Sequence, residues 1–121
     1  MAAPNLVNVT SIYGKTHGQD ITTSLADVVT CASEKVLKIN SIICSNIDGT
    51  NSYDVSVTYY QSSNTGSYKL AHTMAVPADS TLIVLGKDSP IYLREGDKIK
   101  VQGSAASDGQ IIVSYDEMDD A

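Results

Sequence analysis

Short stretches in which apolar and polar residues alternate follow one another along the whole chain, separated by turn residues. A period of two is the signature of a half-buried strand, and it recurs here without any stretch of helical periodicity. The first expected strand runs from Leu6 to Tyr13 and is followed by a polar link, Gly14 to Asp20. The second covers Ile21 to Cys31, with Leu25, Val29 and Cys31 on one face, and Ala32 to Lys35 forms a turn. In the third, Val36 to Ser45, Leu37, Ile39 and Ile43 line one face while Ile42 and Cys44 make the opposite face apolar too. Such a strand lies centrally, covered on both sides or packed against a neighbouring subunit. Ile42 and Cys44 are therefore candidates for a protein–protein interface.

Beyond the Asp48-Gly49 turn, Tyr53, Val55, Val57 and Tyr59 alternate with Asp54, Ser56 and Thr58. The loop Ser62 to Gly66 turns the chain back into a strand with Tyr68, Leu70, His72, Met74 and Val76 on one side. Pro77 to Asp79 breaks it. Three short runs follow, Thr81 to Leu85, Ile91 to Leu93 and Lys98 to Gln102. Between the last two, Arg94 to Asp97 reads as a tight turn whose glycine supplies a positive φ. Ile111, Val113 and Tyr115 mark the last strand. About eight strands at this spacing predict an all-β fold, a single-domain antiparallel β-sandwich of jelly-roll type. The expected organisation is a flexible arm over 1–5, a sandwich over 6–116 and a frayed acidic tail over 117–121. The arm, Met1, Ala2, Ala3, Pro4 and Asn5, is the kind of segment that orders on docking and joins the interface candidates.

Composition sharpens this picture. With no Trp and no Phe, seven Tyr supply every aromatic ring, so Val, Ile and Leu must fill the core, and β-branched residues suit a pleated sheet. The formal charge of −6 is the wrong sign for a nucleic-acid backbone, and the one Arg and the scattered Lys make no basic patch. It also disfavours an anionic membrane surface. No apolar run approaches the roughly 20 residues that cross a bilayer, and the first residues have neither a basic nor an apolar leader segment. Cys31 and Cys44 sit in apolar strand-like segments without metal-ligand spacing, and free buried thiols are expected, with a disulfide between neighbouring strands or a reactive thiol as the alternatives.

Candidate chemistry is sparse. His17 falls in the polar link, and His72 on the apolar side of its strand, as a partly buried imidazole rather than a catalytic base. No nucleophile elbow, phosphate loop or dinucleotide fingerprint occurs. Asp48-Gly49-Thr50-Asn51 lacks the acidic alternation and distal Glu of a calcium loop and reads as a turn. Tyr59, Tyr60 and Tyr68 could form a sugar platform, but cross-strand packing accounts for them better. The expectation is a protein that makes contacts, with no catalytic residue, no metal and no cofactor.

From Asp27 to Met118 the order of segments resembles small structural proteins of tailed phages, marine and cyanobacterial ones in particular. The residues that carry the likeness are Ile39 to Asn46, Val76 to Leu82, Ile91 to Val101 and Val113 to Met118. The turn before the central strand, Ser33-Glu34-Lys35, departs from the Pro/Gly-rich turn often found there. The resemblance implies a virion component assembled in the host cytoplasm, of the capsid decoration or cement type, with a neck, tail or fibre component, including a receptor- or glycan-binding fibre head, as the alternative. It implies as partners the major capsid protein or other virion proteins, and a homo-oligomer, with a trimer suited to local threefold axes. Neither nucleic acid nor membrane is among the partners implied.

Overall fold

The computed structural model describes residues 9–86, 88–105 and 108–120. The arm Met1 to Asn5 lies outside them. The alternating segments form nine strands: β1 (Val9–Asp20), β2 (Ala26–Thr30), β3 (Lys35–Asn46), β4 (Tyr53–Gln61), β5 (Gly66–Val76), β6 (Thr81–Leu85), β7 (Ile91–Leu93), β8 (Lys98–Gly103) and β9 (Gly109–Asp120). One 3-10 turn, Ser62–Asn64, interrupts the β4–β5 connection.

All pairings are antiparallel. One sheet has the order β1-β9-β3-β6, with β7 also on β3, and the other the order β2-β8-β4-β5. The pairs β1–β9, β2–β8, β3–β6 and β4–β5 are nested, as if one long hairpin had been rolled up, which is the jelly roll. Inward residues of both sheets build one core, including Leu37, Ile39, Ile42, Cys44, Tyr53, Val55, Val57, Leu93, Ile99, Val101, Ile111 and Val113. Tyr53 is the one large ring buried almost completely. Its hydroxyl donates to the Ser45 carbonyl (3.0 Å). Gly109 lies against it because a Cβ there would overlap the ring.

Bulges account for the places where alternation misleads. The β3–β9 register shifts between Ile39 and Ser41, so Leu37 and Ile39 face inward before the shift and Ile42 and Cys44 after it. The expectation that Ile42 and Cys44 lie on the face opposite Leu37 and Ile39 is thereby corrected. In β2 a shift between Asp27 and Val29 lets consecutive residues Val28 and Val29 both be buried. Ile21 to Leu25 is a connection between sheets rather than a strand, tied down by Ile21 N–H to the Gly109 carbonyl (2.8 Å), and Leu25 is exposed. Two shifts interrupt the β4–β5 ladder, and His72 and Met74 are both exposed, where an apolar side was expected.

Two polar segments are more regular than their polarity suggests. Gly14 to Asp20, expected as a link, continues β1, and Glu117 to Asp120, expected as part of a frayed tail, continues β9. Ion pairs Lys15–Glu117 (2.8 Å) and Lys35–Asp119 tie the last residues of β9 to its neighbours on either side.

The Arg94–Asp97 turn forms as expected, with Gly96 at φ +86°. Its aspartate does more than turn the chain. Asp97, only 4% exposed, accepts hydrogen bonds from the Arg94 N–H (3.0 Å), the Ser62 N–H (3.0 Å) and the Tyr59 hydroxyl (3.2 Å). One carboxylate thus fastens the β7–β8 turn to the β4–β5 connection.

Candidate interaction surface

Because side chains alternate, each sheet has one face in the core and one toward solvent, and the two solvent faces differ. On the β2-β8-β4-β5 sheet the outward row is polar and charged. Lys98 and Lys100 both reach Asp27, at 3.1 and 3.7 Å. Lys100 also lies 5.1 Å from the centre of the Tyr60 ring, and Lys69 donates to the Thr58 hydroxyl (3.3 Å). Such a face is satisfied within itself and by water.

The β1-β9-β3-β6 sheet is different. Directly paired residues share a face, so Ile112 of β9, Ile43 of β3 and Ile83 of β6 form a row of three isoleucines across adjacent strands. Ile83 is 67% exposed, Ile112 37%, and Ile43 partly. Strand spacing makes the row on the order of 10 Å long. On β1 the row ends at Gly18, whose missing side chain leaves a shallow depression bordered by Gln19, Asp20, Gln110 and Ile112.

The flanking rows are small and nearly neutral. On one side Thr16 and Ser114 sit hydroxyl to hydroxyl at 3.4 Å, with Ser41 beyond. On the other stand Asp20, Gln110, Ser45 and Thr81, and the Gln110 amide donates to the Asp20 carboxylate (3.0 Å). The result is a flat apolar stripe framed by short polar side chains. The apolar residues of this stripe are Ile43, Ile83 and Ile112, none of which the sequence singled out as an interface candidate. Ile42 and Cys44 are fully buried in the chain's own core.

The remaining candidates fall into structural positions. Tyr59 and Tyr68 are a directly paired couple on β4 and β5, their rings stacked with centroids 6.5 Å apart, and Asn64 donates to the Tyr68 hydroxyl (3.3 Å). That is the packing pair expected. In the Asp48 turn the carboxylate accepts from the Thr50 N–H (2.9 Å) and the Asn51 amide (3.3 Å). Those bonds hold it below the ordinary carboxylate range, the Thr50 N–H contributing most. His17 is hydrogen-bonded to the Gln19 side chain (2.8 Å) and His72 is exposed. Among the described residues no group of three or more His, Cys, Asp or Glu could hold a metal ion, and no helix is long and apolar enough to cross a membrane. Both cysteines are free and buried. Burial pushes the Cys31 thiol up to about 11 and the Cys44 thiol up to about 12, so neither is poised as a nucleophile.

No family model matches the chain, and no characterised protein sequence is detectably similar. Solved structures are similar in shape. A protein from Bacillus endospore appendages, described as a family of disulfide-linked pili, superposes with a TM-score of 0.55 at 15% identity, over 92% of this chain and 88% of that one. That likeness extends to the fold. Two viral proteins align more loosely. A pentameric capsid protein from metagenomic phage sequences gives a TM-score of 0.36 at 13% identity, over 97% of this chain and 68% of that one. Infectious bursal disease virus, Gt strain, gives 0.41 at 7% identity, and the chain spans about a third of that protein's length (89% of this chain, 32% of that one).

Proposed function

We propose that this protein is a structural component of a phage particle, a capsid decoration protein that works by covering and bridging neighbouring shell subunits. The observation that carries the reading is the Ile43–Ile83–Ile112 stripe, framed by short polar side chains on a sheet face that no other described strand covers. A flat apolar row framed by hydroxyls suits a broad, shallow contact with another protein better than a small molecule, which needs concavity. Removing one isoleucine side chain from water contributes about 2 kcal/mol, so a single stripe is a weak anchor. Many copies on a repeating lattice turn such anchors into durable attachment through avidity. The partner in this reading is the major capsid protein, and the arm Met1 to Asn5 adds to the same attachment.

Jelly rolls also build filaments, as the endospore-appendage protein does, but a disulfide-linked assembly would need an accessible thiol. Cys31 and Cys44 are both enclosed in the core. Attachment through the stripe accounts for these features better than a disulfide-linked filament does. It is tested by adding purified protein to expanded shells of its phage that lack it. Wild type should bind to saturation and raise the shells' thermal stability, and Ile83→Glu should do neither while remaining folded. Equal binding by the two would remove the stripe from the mechanism.

A further inference from the structure

The jelly roll has four sheet edges, and three of them are blunted. β6 and β7 are short and separated from each other, and β6 carries a register shift. β2 has five residues and a shift of its own. β5 is long, but two shifts break its ladder, Thr73 has a left-handed backbone (φ 45°), and its N–H is taken by the Ser56 hydroxyl (2.9 Å). Breaks of this kind keep edge strands from recruiting new partners.

β1 has none of these protections along most of its length. From Ser11 to Asp20 it pairs with β9 residue by residue without a shift, and its other edge faces no strand among the described residues. Its lysine does not guard that edge, because Lys15 leans across the sheet to Glu117 (2.8 Å). Two large apolar side chains of the strand, Ile12 at 61% and Tyr13 at 51%, are exposed. A ten-residue regular edge with exposed apolar side chains on both faces is a template for another strand.

We propose that two copies of this chain pair through β1, antiparallel, about a two-fold axis at Gly14 normal to the sheet. Such an axis keeps each sheet face on its own side, so residues of the same parity must meet and the axis must pass through a residue. Centring it on Lys15 sets two ammonium groups against each other, and centring it on Thr16 sets Ile12 against Asp20. Gly14 avoids both conflicts. It places Tyr13 beside the Lys15 stem of the other copy, Ile12 beside the Thr16 methyl group, and Ser11 beside His17. In this register β1's own charges stay apart, since Lys15 is paired with Glu117 and Asp20 lies six residues from the axis.

The consequence reaches the isoleucine stripe. In the pair both stripes lie on the same side of one continuous sheet, about 26 Å apart along the strand direction, since each meets β1 at Gly18, four residues from the axis. Two weak anchors facing one way make a bivalent attachment surface. The pairing itself does not depend on any virion role, and its test needs only purified protein.

Gly14 tolerates a side chain, since a Cβ there would meet only the Asp116 carboxylate at 3.7 Å, and a Cβ at Gly18 would meet the Ile112 side chain at 3.7 Å. Gly14→Cys should therefore form a disulfide-linked dimer in most of the protein on mild oxidation, because facing Cβ atoms in an antiparallel pair lie within disulfide reach. Gly18→Cys, with its mate displaced by eight residues, should stay at background. Wild type should sediment as a concentration-dependent monomer–dimer equilibrium. Crosslinking at Gly18 but not Gly14 would overturn the register. A wild type that sediments as a monomer at every concentration, or as a trimer, would overturn the pairing.

Discussion

Ile43 stands directly opposite Ile112 on the solvent side of the β3–β9 ladder, while its chain neighbour Ile42 stands opposite Val113 in the core. Two adjacent residues of the same type therefore answer to different pressures, one to packing and one to whatever meets the outer face. Ile42→Ala should cost about 2–5 kcal/mol of folding stability through the cavity it leaves. Ile83→Ser, in the same stripe as Ile43, should change stability by no more than about 0.5 kcal/mol. Chemical denaturation of the two variants checks this directly.

Val57, opposite Val101, and Ile99, opposite Tyr59, are fully buried and lie diagonally across the β4–β8 ladder. Val57→Asp or Ile99→Asp should abolish cooperative unfolding, because an unpaired carboxylate in that position costs several kcal/mol, on the order of the whole stability of a domain this size. Lys98→Ala, which removes one arm of an exposed ion pair, should shift stability by less than about 1 kcal/mol. Circular dichroism melts distinguish the three.

Asp97 is the polar residue on which the loop architecture leans most. Asp97→Ala strands two backbone N–H groups and the Tyr59 hydroxyl, each about 1–3 kcal/mol if left without water. The variant should be strongly destabilised, with hydrogen exchange rising first at Ser62 and at the Arg94 turn. Uniform loosening of the whole domain instead would mean that the carboxylate is not a local fastener.

Acid should weaken the C-terminal half of β9 before the rest. The Lys35 ammonium, by its hydrogen bond, holds the Asp119 carboxyl below the ordinary carboxylate range. A depressed folded-state value means that the contribution is present above the unfolded value of about 3.9 and disappears as pH falls through the folded one. The partner lysines, Lys15 and Lys35, are raised by their hydrogen bonds to Glu117 and Asp119. Their contribution is complete below about 10.4 and lost only as pH climbs through the raised values, so mild alkali should leave stability unchanged. Thermal midpoints of wild type and Asp119→Asn should converge below pH 4 and separate at pH 6. Parallel curves over that range would show that the pair contributes nothing.

The strand count and the sandwich were legible because most strands keep one face in the core, and Tyr53 to Tyr59 shows the pattern undisturbed. What escaped the pattern did so for two physical reasons. Bulges change facing without changing sequence period, so the facing of Ile42 and Ile43 could not be set before the shift at Asn40 was known. Strands with little core contact also carry no apolar signal, as in Gly14 to Asp20 at an edge and Glu117 to Asp120 beyond the opposite sheet. The interface candidates illustrate the first reason: β3 is apolar in both parities, but the bulge turns Ile42 and Cys44 into the core and leaves Ile43 on the outer face. The stripe was readable only once β3, β6 and β9 were known to be neighbours, since Ile83 lies 40 residues and Ile112 lies 69 residues beyond Ile43 in the chain.

The most direct test of the structural role is the copy number of this protein in purified virions, measured by quantitative mass spectrometry against the major capsid protein. A decoration protein should be present in a fixed ratio to shell subunits, far above the count of any neck, tail or fibre component. A count matching a single ring of subunits would move it off the shell, and its absence from every particle would contradict the account.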